Sequence, residues 1–435
     1  MQKFEKHSPV VVTEVTTKHE LRQFMQYPNR LYADNPNYIP SFYGDDLSDW
    51  TPGKNPAFDY CEARCWLARR DGEIVGRIGA ILSHKANDKF GTHRMRFSQV
   101  DFVDDSEVSA ALFGTVERWA REKGCDQVHG PLGFTDMDRE GMLVEGFDRR
   151  SLFFTNYNAP YYLEHLTRLG YRKDVDWIEY RITVPEPGGA EAERLHKLSE
   201  FILKRKHLHV ATVHHKSEYG PFVRQVFELV NAAYAPLYGV VELSDEQIER
   251  YANKFIPLVD PDFVCFVVDE QDQLVAFGVT ALDPSVALKH SDGRLFPFGW
   301  AGVLNDLHHS DTLIMLLTAV RPDLQTEGIN AVMMDHVCQS CNRHGVRFAE
   351  TGPMLELNDH ILAQWKRLEK EQHKRRRCFI KDLDHDVNAA NAAAAQYFRL
   401  TIKFHRRSSK ENSDSVRMHS NVPNCVWNTN CLRSI

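Results

Sequence analysis

The sequence predicts an α/β protein built from two tandem copies of one unit, each a mixed, largely antiparallel sheet flanked by helices, with a tail over residues 384–435. Three observations predict it. The order of segments in residues 1–186 recurs in residues 187–383, each copy holds a β-branched strand pair joined by a polar turn, and short strings recur at matching places. VHGP ending at Pro131 answers ETGP ending at Pro353, and LEHLTRL ending at Leu169 answers LAQWKRL ending at Leu368. A duplicated unit accounts for 435 residues, more than one core ordinarily organises.

In chain order, the β-branched run Val10–Val15 predicts a strand, and KHELRQFMQYPNRLY sets Leu21, Phe24, Met25 and Leu31 on one helical face. WLARRDGEIVGRIGAIL reads as two strands turning at Asp71-Gly72, a dipeptide suited to the positive φ angles of a tight hairpin. Met95–Val103 alternates as a strand. The next segment aligns Val108, Leu112, Val116 and Trp119 as a helical stripe that stops at Gly124. CDQVHGP is a short strand, YYLEHLTRLGY a helix and WIEYRITV a strand closed by Pro185. The second copy repeats the order: the strand pair VCFVVDEQDQLVAFGVTAL, the strand TLIMLLTAV, a helix ending at Gly345, the strand VRFAETGP, the helix HILAQWKRL and the final strand RCFIKDL. Past residue 384, NAANAAAAQYF suits one helix, but the Asn-rich end has no apolar period, and this tail is expected to be poorly ordered.

Bulk properties narrow the function. A hydrophobic fraction of 43% and a charged fraction of 26% suit a globular core. Nine irregularly spaced cysteines do not form a disulfide framework, and a net charge of −7 gives no electrostatic reason to expect nucleic acid. No apolar run approaches the roughly 18 residues that span a bilayer, and the N-terminus lacks an apolar signal segment, so the cytoplasm is the expected address. The basic run Lys374–Arg377 reads first as a solvated face. Its alternative uses are a nucleotide phosphate, an acidic substrate or peripheral contact with the inner membrane. Cys338, Cys341 and His344 spell C-x-x-C-x-x-H on one predicted helix without a second ligand pair, so no metal site is expected.

The chemistry concentrates where TLIMLLTAV runs into RPDLQTEGINAVMMDHV, a polar turn between a buried strand and a helix. A helix start offers unpaired N–H groups and the positive end of the helix dipole, which together favour a phosphate. Gly328 removes the Cβ that would block close approach. Val320, Pro322, Gln325 and Gly328 reproduce V-x-P-x-x-Q-x-x-G, and through them the chain resembles the GNAT acyltransferase superfamily. The resemblance implies that Val320, Gln325, Thr326, Glu327, Gly328, Ile329 and Asn330 hold the pyrophosphate of acetyl- or acyl-CoA as co-substrate, with no tightly bound cofactor. Asn330 departs from the usual Gly or Ala. At the matching place the first copy has Asp101, Asp104, Asp105 and Glu107 and no glycine, so one CoA site is expected, in the second copy.

The superfamily resemblance also places a backbone N–H of Leu313–Val320 on the thioester carbonyl, and makes Glu350 the first choice of base, with His308 and His309 as substitutes. Asn358 matches the superfamily's helix asparagine. No tyrosine follows on that helix, where Trp365 stands, and His360 is the candidate replacement acid. The long loop GFTDMDREGMLVEGFDRRSLFFTNYNAPYY offers Tyr157, Tyr161 and Tyr162, with Phe153 and Phe154, as walls of an apolar acceptor channel or as a packed lid. To about Leu383 the chain further resembles bacterial ceramide synthase-like N-acyltransferases. The resemblance implies transfer from acyl-CoA to an amine, in the finer case a long-chain lipid amine. A small amine or protein N-terminus as acceptor, and a non-catalytic CoA-binding protein, are the alternatives.

Overall fold

The computed structural model describes residues 8–383. The expected tail, 384–435, lies outside the described residues. The first half runs β1 (Val11–Glu14), α1 (Lys18–Leu31), α2 (Tyr43–Asp49), β2 (Cys61–Arg70), β3 (Glu73–Ser83), α3 (His84–Phe90), β4 (Arg94–Phe102) and α4 (Ser106–Glu122). It closes with β5 (Gln127–Gly130), β6 (Met142–Glu145), α5 (Tyr161–Arg168) and β7 (Arg172–Thr183). The second half opens with α6 (Ala190–Lys206), β8 (His209–Val210), α7 (Gly220–Tyr234), α8 (Asp245–Phe255), β9 (Val264–Val268) and β10 (Leu274–Leu282). It continues through α9 (Ser285–His290), α10 (Gly299–His309), β11 (Thr312–Val320), α11 (Asn330–His344), β12 (Phe348–Glu350), β13 (Met354–Leu355), α12 (Asp359–Ala363) and β14 (Lys370–Asp382).

Local chemistry fixes many of these boundaries. Thr17 caps α1 with a reciprocal bond to Glu20, a capping box. Asp71 and Gly72 take φ of 51° and 85° in the β2–β3 turn, as the Asp-Gly pair requires. Gly345 ends α11 at φ 70°.

All fourteen strands join one largely antiparallel sheet with helices on both faces, in the order β1-β2-β3-β4-β5-β14-β7-β12-β11-β10-β9-β8; β6 pairs with β14 and β13 with β7. The repeat is visible in the pairings. In each half a hairpin (β2–β3, β9–β10) leads to a strand that pairs in parallel with the next for only three residues, Arg94–Arg96 with Gln127–His129 and Thr312–Ile314 with Phe348–Glu350. Beyond those residues the strands part. Each parting strand also carries an extra residue: register slips within β4 near Gln99, which takes φ 46°, and within β11 at Leu316. Such bulges release backbone groups from the ladder and re-aim side chains.

The final strands are exchanged. β14, last in the chain, lies between β5 and β7, while β7 fills the corresponding place beside β12. This corrects the reading of Lys374–Arg377 as a solvated face. β14 begins at Lys370, well before the expected RCFIKDL, and Lys374 and Arg376 are 1% and 0% exposed. Lys374 Nζ donates to Glu179 (3.4 Å) and Glu350 (3.3 Å), and Arg376 Nε donates to Glu179, itself fully buried. Arg375 and Arg377 share Asp176 at 3.2 and 2.7 Å. Burial pushes the Glu179 carboxyl up, and the adjacent Arg376 and Lys374 outweigh it, so its pKa falls below the ordinary range. Removing one member of such a network strands the others without solvent. Glu179→Ala is expected to lower unfolding stability by about 3–5 kcal/mol in urea titrations, whereas Asp382→Ala, which breaks the exposed pair with Arg172, changes it by less than about 1 kcal/mol.

Candidate active site

The structure holds two spaces of opposite character. Beside α11 lies an apolar cleft of about 750 Å³, walled by Met315, Leu317 and Thr318 of β11, Ala349 of β12, Met333 and Val337 of α11, and Trp365. The expected phosphate loop stands above it. Pro322–Leu324 forms one 3-10 turn, Leu324 and Glu327 turn their N–H groups back onto Arg321 and Leu324, and α11 starts at Asn330, which also lines the cleft. Among the described residues, the N–H groups of Gly328, Ile329 and Asn330 meet no acceptor, as the first turn of a helix dictates. Gly328 takes φ 80°, and a Cβ there would come within 3.2 Å of Ile202 on α6. Gln325 donates to the Val320 carbonyl, bracing the loop (3.3 Å). Thr326 and Glu327 are exposed, and Glu327 pairs with Lys206 at 2.6 Å. Lys204, Arg205 and Lys206 form the basic last turn of α6 beside this loop.

The first half has used the equivalent place for itself. Asp105 accepts the N–H groups of Glu107 and Val108 at the start of α4, at 2.8 and 3.3 Å, and pairs with Arg70. Asp101 is buried against Arg77 at 2.7 Å, and Asp104 meets His165. An internal carboxylate thus occupies the donors that a phosphate would need.

Of the expected catalytic residues, Glu350 ends β12 at the parting point, buried and shared among Lys374 (3.3 Å), Arg181 (3.8 Å) and His373 (3.9 Å). Asn358 caps α12 by accepting the Ile361 N–H, and His360 is exposed on that five-residue helix. Neither lines the cleft. His308 and His309 bond to carbonyls of their own helix at the far end of β11. The structure does not bring these groups together. Trp365 is buried, its indole N–H on Met354 sulfur at 3.2 Å.

The tyrosines also part company. Tyr162 is fully buried, its hydroxyl bonded to Tyr32 (2.8 Å) and receiving the Phe102 N–H (2.8 Å), and Tyr161 stacks beside it. Tyr162 is a core residue and not a channel wall, because its polar atom is already satisfied inside the first half. Tyr157 does line a cavity, one of about 450 Å³ with Arg77, Asp101 and Arg139.

A second cavity, of about 790 Å³, lies between the halves, walled by Phe42, Asp45, Asp46 and Asp49 of the α2 region, Ser98 and Gln99 of the β4 bulge, Gly133, Phe134, Met137, Asp138 and Arg139, Phe153, Phe154, and Tyr251 and Lys254 of α8. Phe154 lies against the parting point: a Cβ on Gly352 would meet its ring at 3.6 Å and the Met315 carbonyl at 3.4 Å. Asp46 is paired with Arg139 and Asp49 with Arg250 and Lys254. Asp45 has no cation within ion-pairing distance among the described residues, and burial raises its pKa, Lys254 opposing and Asp49 adding. Asp138 is raised by burial and by Asp49. Behind it, burial pushes Asp136 up to about 6 and Glu140 well above its usual value. Asp136 Oδ1 is buried without a hydrogen-bond partner. Sequence reasoning dwelt on the aromatics of this loop and passed over its D-M-D-R-E string, the available signal.

The chain is similar to Protein YghO of Escherichia coli (strain K12), 27% identical over 379 residues, which cover 86% of this chain and 95% of that protein. It is 28% identical to the bacterial ceramide synthase of Caulobacter vibrioides (strain NA1000 / CB15N) over 300 residues, 67% of this chain and 75% of the relative. No family model matches. Among solved structures, a tandem GNAT protein from the clavulanic acid biosynthesis pathway superposes with a TM-score of 0.50 at 13% identity, over 87% of this chain and 99% of that one. The fold is a tandem GNAT fold. Within it, the helix-start N–H groups at Gly328–Asn330 of the second half are open, while Asp105 caps those of the first half. No helix among the described residues is long and apolar enough to cross a membrane. The residues Cys338 and Cys341 are buried on α11 while His344 pairs with Asp262, and a separate cluster, His129, Asp174 and Cys378, meets around the Tyr238 hydroxyl.

Two buried histidines near the strand exchange give a pH signature. Burial, then Lys374, depresses His373 to about 3, and burial depresses His129 to about 4, against an ordinary 6.5. Between these values and 6.5 the unfolded chain binds protons that the folded chain does not, so stability falls as pH drops through 6.5. Thermal melts from pH 7.5 to 5 are expected to show a falling Tm, with a shallower slope for His373→Gln.

Proposed function

We propose that the protein is an acyl-CoA-dependent N-acyltransferase with one active site, at the β11–β12 parting point. The observation that carries the reading is the apolar cleft beneath the open strand-to-helix loop, with the acidic cavity between the halves reaching the parting point through Phe154. In this reading the loop from Gln325 to Asn330 binds the pyrophosphate through backbone N–H groups, the pantetheine arm and acyl chain follow the apolar cleft, and an N–H released by the bulge near Leu316 polarises the thioester carbonyl. Unpaired carboxylates draw a cationic amine into the acidic cavity.

The amine nitrogen then attacks the carbonyl carbon, the C–N bond forms, the C–S bond breaks, and the thiolate takes a proton from water. A base must remove the proton of the amine. Glu350, the first choice from sequence, is shared with Lys374. Asp136, behind the wall of the acidic cavity, is the alternative: burial pushes its pKa up to about 6, one oxygen is unpartnered, and its charge is felt at Tyr234, whose hydroxyl donates to the Thr318 carbonyl on β11. Similarity to the bacterial ceramide synthase supports a long-chain amine as acceptor.

Two experiments test this reading. Calorimetric titration with CoA is expected to show binding that Gly328→Trp abolishes, because a side chain at φ 80° pressed against Ile202 displaces the loop backbone that would meet the phosphate; unchanged binding by the variant overturns the loop assignment. In thiol-release assays with long-chain amines, the rate is expected to rise through about pH 6, and Asp136→Asn to lower kcat about 10²–10⁴-fold while leaving CoA affinity intact.

A further inference from the structure

The apolar residues exposed on the second half concentrate in one place. Phe296, Phe298, Trp300 and Leu304 are 79%, 80%, 47% and 45% exposed on the start of α10 and the turn before it, and Val286 of α9 adds 48%. Large apolar side chains at that exposure within nine residues form a surface that a monomer in water leaves uncovered at a cost. Between Arg294 and Asn305 the sequence holds no acidic residue.

The patch is also placed to deliver something. Arg294, Leu295 and Phe296 form one rim of an open groove of about 1810 Å³, whose other walls are Tyr43, Lys54, Glu246, Arg250 and Pro257. Phe42, Asp45, Lys254 and Leu258 line both this groove and the acidic cavity, so the two spaces adjoin. The exposed aromatics, the groove, the carboxylates and Phe154 at the parting point thus lie in one succession of neighbouring spaces.

We infer that the Phe296–Leu304 patch docks on a lipid bilayer and that the groove draws an amphiphilic amine from that bilayer to the acidic cavity. The inference rests on the acyltransferase reading for the identity of the cargo but not for the docking itself. Phe and Trp at a protruding tip suit the boundary between headgroups and acyl chains, where apolar rings are buried without a spanning helix. Continuity of the patch with the groove favours a bilayer over a second copy of the chain, since a dimer formed here would cover the groove mouth.

The test is co-sedimentation of the full chain with vesicles of phosphatidylethanolamine and phosphatidylglycerol, without acyl-CoA, for wild type and the double variant Phe298→Ser, Trp300→Ser, whose residues lie outside the groove. Wild type is expected to partition onto the vesicles, and the variant at least about tenfold less. The substituted side chains are exposed, and an unchanged thermal melt checks that the variant is folded. Equal partitioning of both, no binding by wild type, or a wild-type dimer that the same substitutions dissolve without vesicle binding would each overturn docking. If docking holds, the variant is expected to acylate a short soluble amine at the wild-type rate and to lose at least about tenfold against a long-chain amine embedded in vesicles. Equal rates there overturn the delivery path alone, and absence of turnover by wild type on both amines points instead to failure of the acyltransferase reading.

Discussion

The buried charges on β14 and β7 set the terms for the rest of the molecule. Glu179 can be stable in the core only because Arg376 and Lys374 reach it from the neighbouring strand, and Lys374 in turn reaches Glu350 on β12. A buried carboxylate without those partners would take up a proton or unfold its surroundings. The ion network therefore fixes which strands lie side by side, since a shift of one residue along β14 would turn Lys374 and Arg376 to the opposite face of the sheet. With β14 held between β5 and β7, and β7 beside β12, each half's parting point is framed by the other half's last strand. The space between halves becomes a walled cavity and not a loose domain interface.

That arrangement also explains why duplication yields one open phosphate loop. Both halves build the same parallel pair, the same bulge and a helix starting just beyond. In the first half Asp105 accepts the helix N–H groups and Arg70 neutralises Asp105. In the second, Gly328 at φ 80° presents backbone with no side chain in front of it. The closed copy keeps its parting point for another use: the bulge residues Ser98 and Gln99 face the acidic cavity.

Much of this was legible in the sequence because it rests on local physics. The Asp71-Gly72 turn, the stripe Val108–Trp119, the Gly345 stop and the strand-to-helix loop at Gly328 all follow from neighbours a few residues apart. What was not legible depends on partners far along the chain. The run Lys374–Arg377 resembles a solvated face until Glu179, 195 residues from Lys374, is placed beside it. Tyr162 resembles a pocket wall until Tyr32 and the Phe102 amide satisfy its hydroxyl. Helices α7 to α10 stand where the first half has α1 to α3, but no elements were read there from sequence, and with them went the α8 wall of the cavity and the exposed aromatics of α10.

The cleft and the cavity also suit substrates of opposite character. In the proposed reading, a thioester with an acyl chain would gain from the nearly all-apolar walls of the cleft, and its anionic end would meet the helix N–H groups outside. A cationic head gains from Asp45 and Asp138 only where water is sparse, because in bulk solvent the same carboxylates would be screened within about 8–10 Å. Phe42, Phe153, Phe154 and Leu258 provide that shielding along the cavity wall. The same apolar wall leaves room for an aliphatic tail behind a charged head, so an amphiphile satisfies both the acids and the aromatics, whereas a small polar amine would satisfy the acids alone.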